Sequence, residues 1–224
     1  MLYFFLGPEM RYLRGRAHVA TSTWKRDLLS FKRIDPTPFN IREFLHPFIF
    51  FFRSRVLIPS VAYAMVFLFG SVLVTVETPQ LFIPKFGFDE QAIGMQFLAL
   101  IIGGVIGEQL GGNLSDYWMR LCTKRNGGDR PANEFRLWLS YPGFILTVCG
   151  TVVFLVIAGQ LKTYNISPIV GAGIAAAGNQ VVTTVLITYA VDCYPGDAAS
   201  IGVFVTFLRQ TWGFIGPFWY VRHT

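Results

Sequence analysis

An arginine inside an otherwise uncharged run is the most demanding chemical feature of this sequence. Arg209 lies about nine residues beyond Ser200, or roughly 14 Å along a helix, which is near the middle of a hydrocarbon core roughly 30 Å thick. Guanidinium keeps its charge in proteins, and a central arginine costs roughly 2.5–3.5 kcal/mol on membrane-insertion scales. Arg209 is therefore expected to avoid lipid. Gly202, Thr206, Arg209, Gly213 and Gly216 share one helical face, within about 80° at about 100° per residue. Phe204, Phe207 and Phe214 lie off that face and are expected to meet lipid. Small and polar residues around a charge suit a surface facing protein or a wet cavity. The alternative, snorkelling to an interface, is disfavoured by depth.

Other polar groups sit at comparable depth. Asn179 and Gln180 lie about ten residues from one end of the apolar run 169–191, and Thr183 continues the face of Asn179. These three are candidates to line a cavity, with Asn179 the expected neighbour of Arg209. Glu108 is ionisable and close to a membrane depth, which makes it a functional candidate; solvation by the polar segment that follows is the rival. Tyr63 is the one polar-tipped residue in the first half of its run, and either packs as an aromatic or touches solute. Catalysis finds little support. The three histidines, His18, His46 and His223, lie outside the apolar runs, and the three cysteines follow no metal spacing. No cofactor is expected.

The elements that must hold these residues follow from composition. The chain is 53% hydrophobic and 14% charged, with a mean hydropathy of +0.47, values that exclude disorder and disfavour a soluble domain. The periodicity and length of the apolar runs predict an all-α membrane protein with five transmembrane helices near 56–76, 91–115, 137–158, 169–191 and 200–220. Of 19 Lys and Arg residues, ten lie in residues 1–55 and five between Arg120 and Arg136. The basic excess therefore puts 10–50 and 117–136 in the cytosol, and Glu77, Lys85, Asp89 and Glu90 outside. Segregated charge of this kind calls for a lipid bilayer as partner, and no nucleic acid.

Between the second and third spans lies the glycine-rich run 103–112, followed by a break at Asn113 and a basic loop. Gly104, Gly107, Glu108, Gly111 and Ser115 share a face on which a neighbouring helix can approach closely. Gly112-Asn113-Leu114-Ser115-Asp116 with Arg120 resembles the G-x-L-x-D...R loop signature of the major facilitator superfamily; Met119 stands where glycine is usual. Gly7-Pro8-Glu9-Met10-Arg11-Tyr12 resembles the P-E-T-x-Y motif that closes a sixth span in related transporters. Asp116 is expected to pair with Arg120 or another basic residue up to Arg136.

From Pro8 to Trp219 the chain resembles the second half of a fungal facilitator of the drug:proton antiporter type, general-substrate or polyamine-like. The likeness is close around Val191-Asp192-Cys193-Tyr194-Pro195 and Arg209-Gln210-Thr211-Trp212-Gly213. That resemblance implies an incomplete C-terminal half of the facilitator fold. Residues 1–6 end a preceding span, 7–54 form a central cytosolic loop with a short amphipathic helix around Trp24, Leu28 and Phe31, and 55–224 form a five-helix partial bundle lacking its sixth helix. It further implies a secondary transporter of small organic solutes, cationic or drug-like, coupled to protons and needing the missing N-terminal half. The expected location is the plasma membrane, with the vacuolar membrane the alternative. A truncated product or gene model, inactive or associating with a full-length relative, is the competing expectation.

Overall fold

The computed structural model describes residues 45–125 and 132–220. The expected segment 1–6, most of the loop 7–54 with its amphipathic helix, and 126–131 lie outside the described residues. Every element among the described residues is helical.

A short 3₁₀ turn, His46–Phe52, leads into α1, Ser54–Phe86. The uncharged stretch from Val56 makes α1 helical; because the helix begins at Ser54, Pro59 lies inside it rather than in its first turn as expected, and leaves the Arg55 carbonyl without its intrahelical donor. Residues Leu68–Leu73 widen into a π-helical turn. The helix does not stop near residue 76 as expected but continues to Phe86, with Pro79 and Pro84 inside it. The Thr78 hydroxyl donates to the Val74 carbonyl at 2.6 Å, just before the backbone that Pro79 deprives of a donor. Termination falls instead at Gly87, whose φ of 64° only glycine adopts freely, with its N–H on the Ile83 carbonyl. Glu77, expected outside, is consequently in the helix and only 7% exposed.

The second helix, α2 (Glu90–Arg125), also overruns its expected boundary. No break occurs at Asn113, so Gly112, Asp116 and Arg120 are helical rather than loop residues. Its buried line is Gly103, Gly107, Gly111, Ser115 and Met119, a strict four-residue repeat. A Cβ at Gly103 would collide with the Gly173 carbonyl, and one at Gly107 with the Ala177 carbonyl. Contact of backbone with backbone explains how so glycine-rich a helix persists, since packing replaces the propensity it lacks. The expected close-approach face is therefore present, but Gly104 and Glu108 lie beside it.

A 3₁₀ turn, Asn133–Leu139, opens α3 (Ser140–Gln160). Next comes α4 (Ser167–Cys193), the most enclosed helix, which touches α1, α2, α3 and α5. Then α5 (Ala198–Ile215) and a last short turn, α6 (Pro217–Tyr220), follow. Four described helices are long and apolar enough to cross a membrane: Ser54–Phe86, Glu90–Arg125, Asn133–Gln160 and Ser167–Cys193. The expected fifth, α5, is not among them: its 18 residues include Arg209 and Gln210, which lower its apolarity. Phe204, expected against lipid, is buried with Ile201 and Val205 against Val56, Tyr63, Ala64, Val182 and Leu186. A second cluster, toward the other end, joins Leu73, Val74 and Phe82 to Phe154, Ala158, Ile169 and Ala172.

Candidate functional site

Three helices line an open cavity of about 310 Å³: Ser71 comes from α1, Leu100, Ile101, Gly104, Val105 and Glu108 from α2, and Ala176, Asn179 and Gln180 from α4. The glycine line sets this geometry. By pulling α2 onto α4 it turns the next face of α2, with Gly104 and Glu108, into the opening beside α4. Gly70 does the same for α1, since a Cβ there would strike the Thr147 methyl and lie 3.4 Å from Asn179 Cβ. Asn179 is 6% exposed and its Oδ1 has no hydrogen-bond partner among the described residues. A buried acceptor left without a donor costs about 1–3 kcal/mol. Thr183 does not supply one, because its hydroxyl donates to the Asn179 backbone carbonyl at 2.7 Å. Glu108 is exposed at the cavity and forms no ion pair among the described residues.

Arg209 stands on the other flank of α1. Its Nη1 donates to the Tyr63 hydroxyl at 3.2 Å, and its guanidinium carbon lies 4.9 Å from the Phe67 ring centroid. Its Nε is buried with no acceptor among the described residues. The expected neighbour Asn179 is not its partner; Tyr63, left open between packing and contact, is. Tyr63, Phe67 and Ser71 lie four residues apart, so one stretch of α1 carries the arginine's contacts and the cavity's hydroxyl, with Ser71 inside the π turn and off strict α-helical alignment. Ser71 and Phe67 were missed by sequence reasoning. A serine or phenylalanine in an apolar run carries no distinguishing signal, and the π turn shifts which residues share a face.

At the basic end a third polar group gathers around Arg136. Its Nη1 donates to Ser115 Oγ at 2.8 Å and lies 3.7 Å from Asp116, while Nη2 lies 3.4 Å from Asp192. Arg136 is 10% exposed in its side chain and Asp116 67%. The cation facing Asp116 is thus the far end of the expected range, and Arg120 is exposed with no ion pair among the described residues. Asn133 adds a bond to the Asp192 carbonyl at 3.1 Å. Together these contacts tie α2, the turn before α3 and the end of α4.

Comparison with known proteins gives relatives but no template: no family model and no solved structure matches the chain. The chain is 30% identical over 141 residues to a probable efflux pump of Aspergillus flavus, covering 61% of the chain and 32% of the relative. It is 26% identical over 212 residues to an MFS-type transporter of Penicillium rubens, covering 95% of the chain and 39% of the relative. It is 27% identical over 121 residues to dityrosine transporter 1 of Saccharomyces cerevisiae, covering 53% and 20%. The chain spans about a third of the length of the first two.

Proposed function

Membership of the major facilitator superfamily, which these fungal relatives support, is the premise from which we propose that this multi-pass membrane chain forms one wall of a secondary transporter's solute path. The solutes are small organic molecules, cationic or drug-like, moved by proton antiport across the plasma membrane together with an N-terminal half. The observation that carries this reading is the cavity between α1, α2 and α4, whose lining includes both Glu108 and Asn179, the latter with a buried Oδ1 that has no partner among the described residues. A carboxylate beside an acceptor-rich wall attracts a cation with N–H donors, and intramembrane placement of such groups marks solute routes. Transporters of this architecture hold their substrates between two halves near the midplane. On this reading Gly112, Asp116, Arg120 and Arg136 belong to the cytosolic side, where Arg136, with Ser115, Asp116 and Asp192, fastens helix ends rather than touching solute.

A chimera tests it. This chain replaces the matching segment of the Penicillium rubens relative, and efflux of a fluorescent lipophilic cation from yeast is followed. Glu108→Gln is expected to lower efflux at least tenfold at equal membrane abundance, and the chain expressed alone is expected not to transport. Unchanged efflux in the variant refutes the cavity assignment.

A further inference from the structure

One face of α1 separates two unsatisfied groups of opposite charge. On one flank, Glu108 lines the cavity beside Ser71, Asn179 and Gln180 without a cationic partner among the described residues, and the Oδ1 of Asn179 is buried and unpartnered there. On the other, Arg209 meets a phenol and a ring face, and its buried Nε has no acceptor among the described residues. We propose that the Tyr63–Phe67–Ser71 face is a bipolar solute site, taking an ammonium end at Glu108 and Asn179 and a carboxylate end at Arg209. This rests on the reading of the cavity given above and adds the charge pattern of the solute.

The chemistry of each end is selective. An ammonium offers three donors and no acceptor, which matches the Glu108 carboxylate and the Asn179 Oδ1. Guanidinium presents five donors in a fork that fits a carboxylate bidentately, which neither Tyr63 nor Phe67 can exploit. A phenol accepts one bond and a ring face contributes about 0.5–2 kcal/mol, so the donors of Arg209 are under-used. Between the ends, Phe67 offers apolar surface to a hydrocarbon or aromatic body. The span from Arg209 past Phe67 to the far side of the cavity is on the order of 10–15 Å, one helical turn plus the cavity width. An extended two-ended molecule fits that length; an α-amino acid with adjacent charges cannot reach both ends. A dication meets Arg209 and a dianion meets Glu108, so the site disfavours each by like charge.

The test uses the chain in phosphatidylcholine nanodiscs and three matched probes: 8-aminooctanoate, 1,8-diaminooctane and octanedioate. Calorimetric titration is expected to show 8-aminooctanoate binding at least tenfold tighter than either other probe. Arg209→Leu should lower its affinity at least tenfold and leave the diamine unchanged or tighter; Arg209→Lys should recover part of the preference. Glu108→Gln should weaken both amines. Equal binding of 8-aminooctanoate and diamine, or a preference that survives Arg209→Leu, overturns the bipolar site. If diamine binding is nonetheless lost in Glu108→Gln, the cavity reading stands without it. If no probe binds a chain whose helical circular dichroism is intact, both fail together.

Discussion

Arg136 and Arg209 each hold a buried Nε without a hydrogen-bond partner among the described residues, and their surroundings otherwise differ. Arg136 meets a serine hydroxyl at 2.8 Å and two carboxylates at 3.4 and 3.7 Å. Arg209 meets a phenol at 3.2 Å and a ring face. The first is answered by charge from within the fold, so removing it strands Asp192. The second is answered by neutral groups, so removing it strands nothing charged. A buried ion with internal counter-ions holds structure; one without them is a cost that only a ligand or a partner segment can offset. That contrast separates the two sites more sharply than depth or sequence position does.

The largest expected effect breaks the hub. Arg136→Leu leaves Ser115 without its donor and Asp192 without its counter-ion, and loss of one partner of a buried pair costs about 3–5 kcal/mol; unfolding in detergent by denaturant titration reads it. Arg209→Leu forfeits a charged hydrogen bond of roughly 1.5–3 kcal/mol but also removes an insertion cost of roughly 2.5–3.5 kcal/mol. Its net change is expected within about 1 kcal/mol.

Within the hub the two carboxylates should not be equal. Asp192→Asn is expected to destabilise by roughly 1.5–3 kcal/mol. Asp116→Asn, on an exposed side chain 3.7 Å away, should cost about 0–1 kcal/mol. Equal losses in the same titration would mean that Asp116 is the true counter-ion. Gly107→Ala sharpens the comparison from outside, since its new methyl meets the Ala177 backbone. It should cost about 1–3 kcal/mol and reduce probe binding at the cavity while sparing the Arg136 contacts. Smallest is Tyr63→Phe, which removes one acceptor from Arg209; its cost should be about 1 kcal/mol or less. A loss as large as that of Asp192→Asn would mark Arg209 as structural after all.

Helix periodicity made much of this legible. The apolar runs gave each helix its place, and glycines at four-residue spacing gave the close approach of α2 to α4, because both are one-dimensional patterns. Ends were less legible. Glu77 read as lying beyond the helix, yet α1 continues through it and through Pro79, because neighbouring helices enclose Glu77 and Thr78 hydrogen-bonds locally. Asn113 read as a break, yet α2 continues through it. Side-chain partners were least legible: nothing in the local sequence ties Arg136 to Asp192 or Arg209 to Tyr63, since those pairs are made by the packing of α4 and α5 on their neighbours. Phe204 failed for a related reason. A helix with one polar face still has two sides among its apolar residues, and only packing decides which meets α1.

The account turns on Arg209 serving a ligand rather than the fold. The direct measurement is thermal unfolding of the wild-type chain, Arg209→Leu and Arg136→Leu in nanodiscs, each with and without saturating 8-aminooctanoate. Ligand that binds only the folded state raises its stability by mass action. The expected result is that Arg136→Leu unfolds well below wild type yet is still stabilised by the probe. Arg209→Leu should unfold near wild type and show no such stabilisation. An Arg209→Leu chain that loses as much stability as Arg136→Leu, or keeps the full probe-induced rise, contradicts the claim.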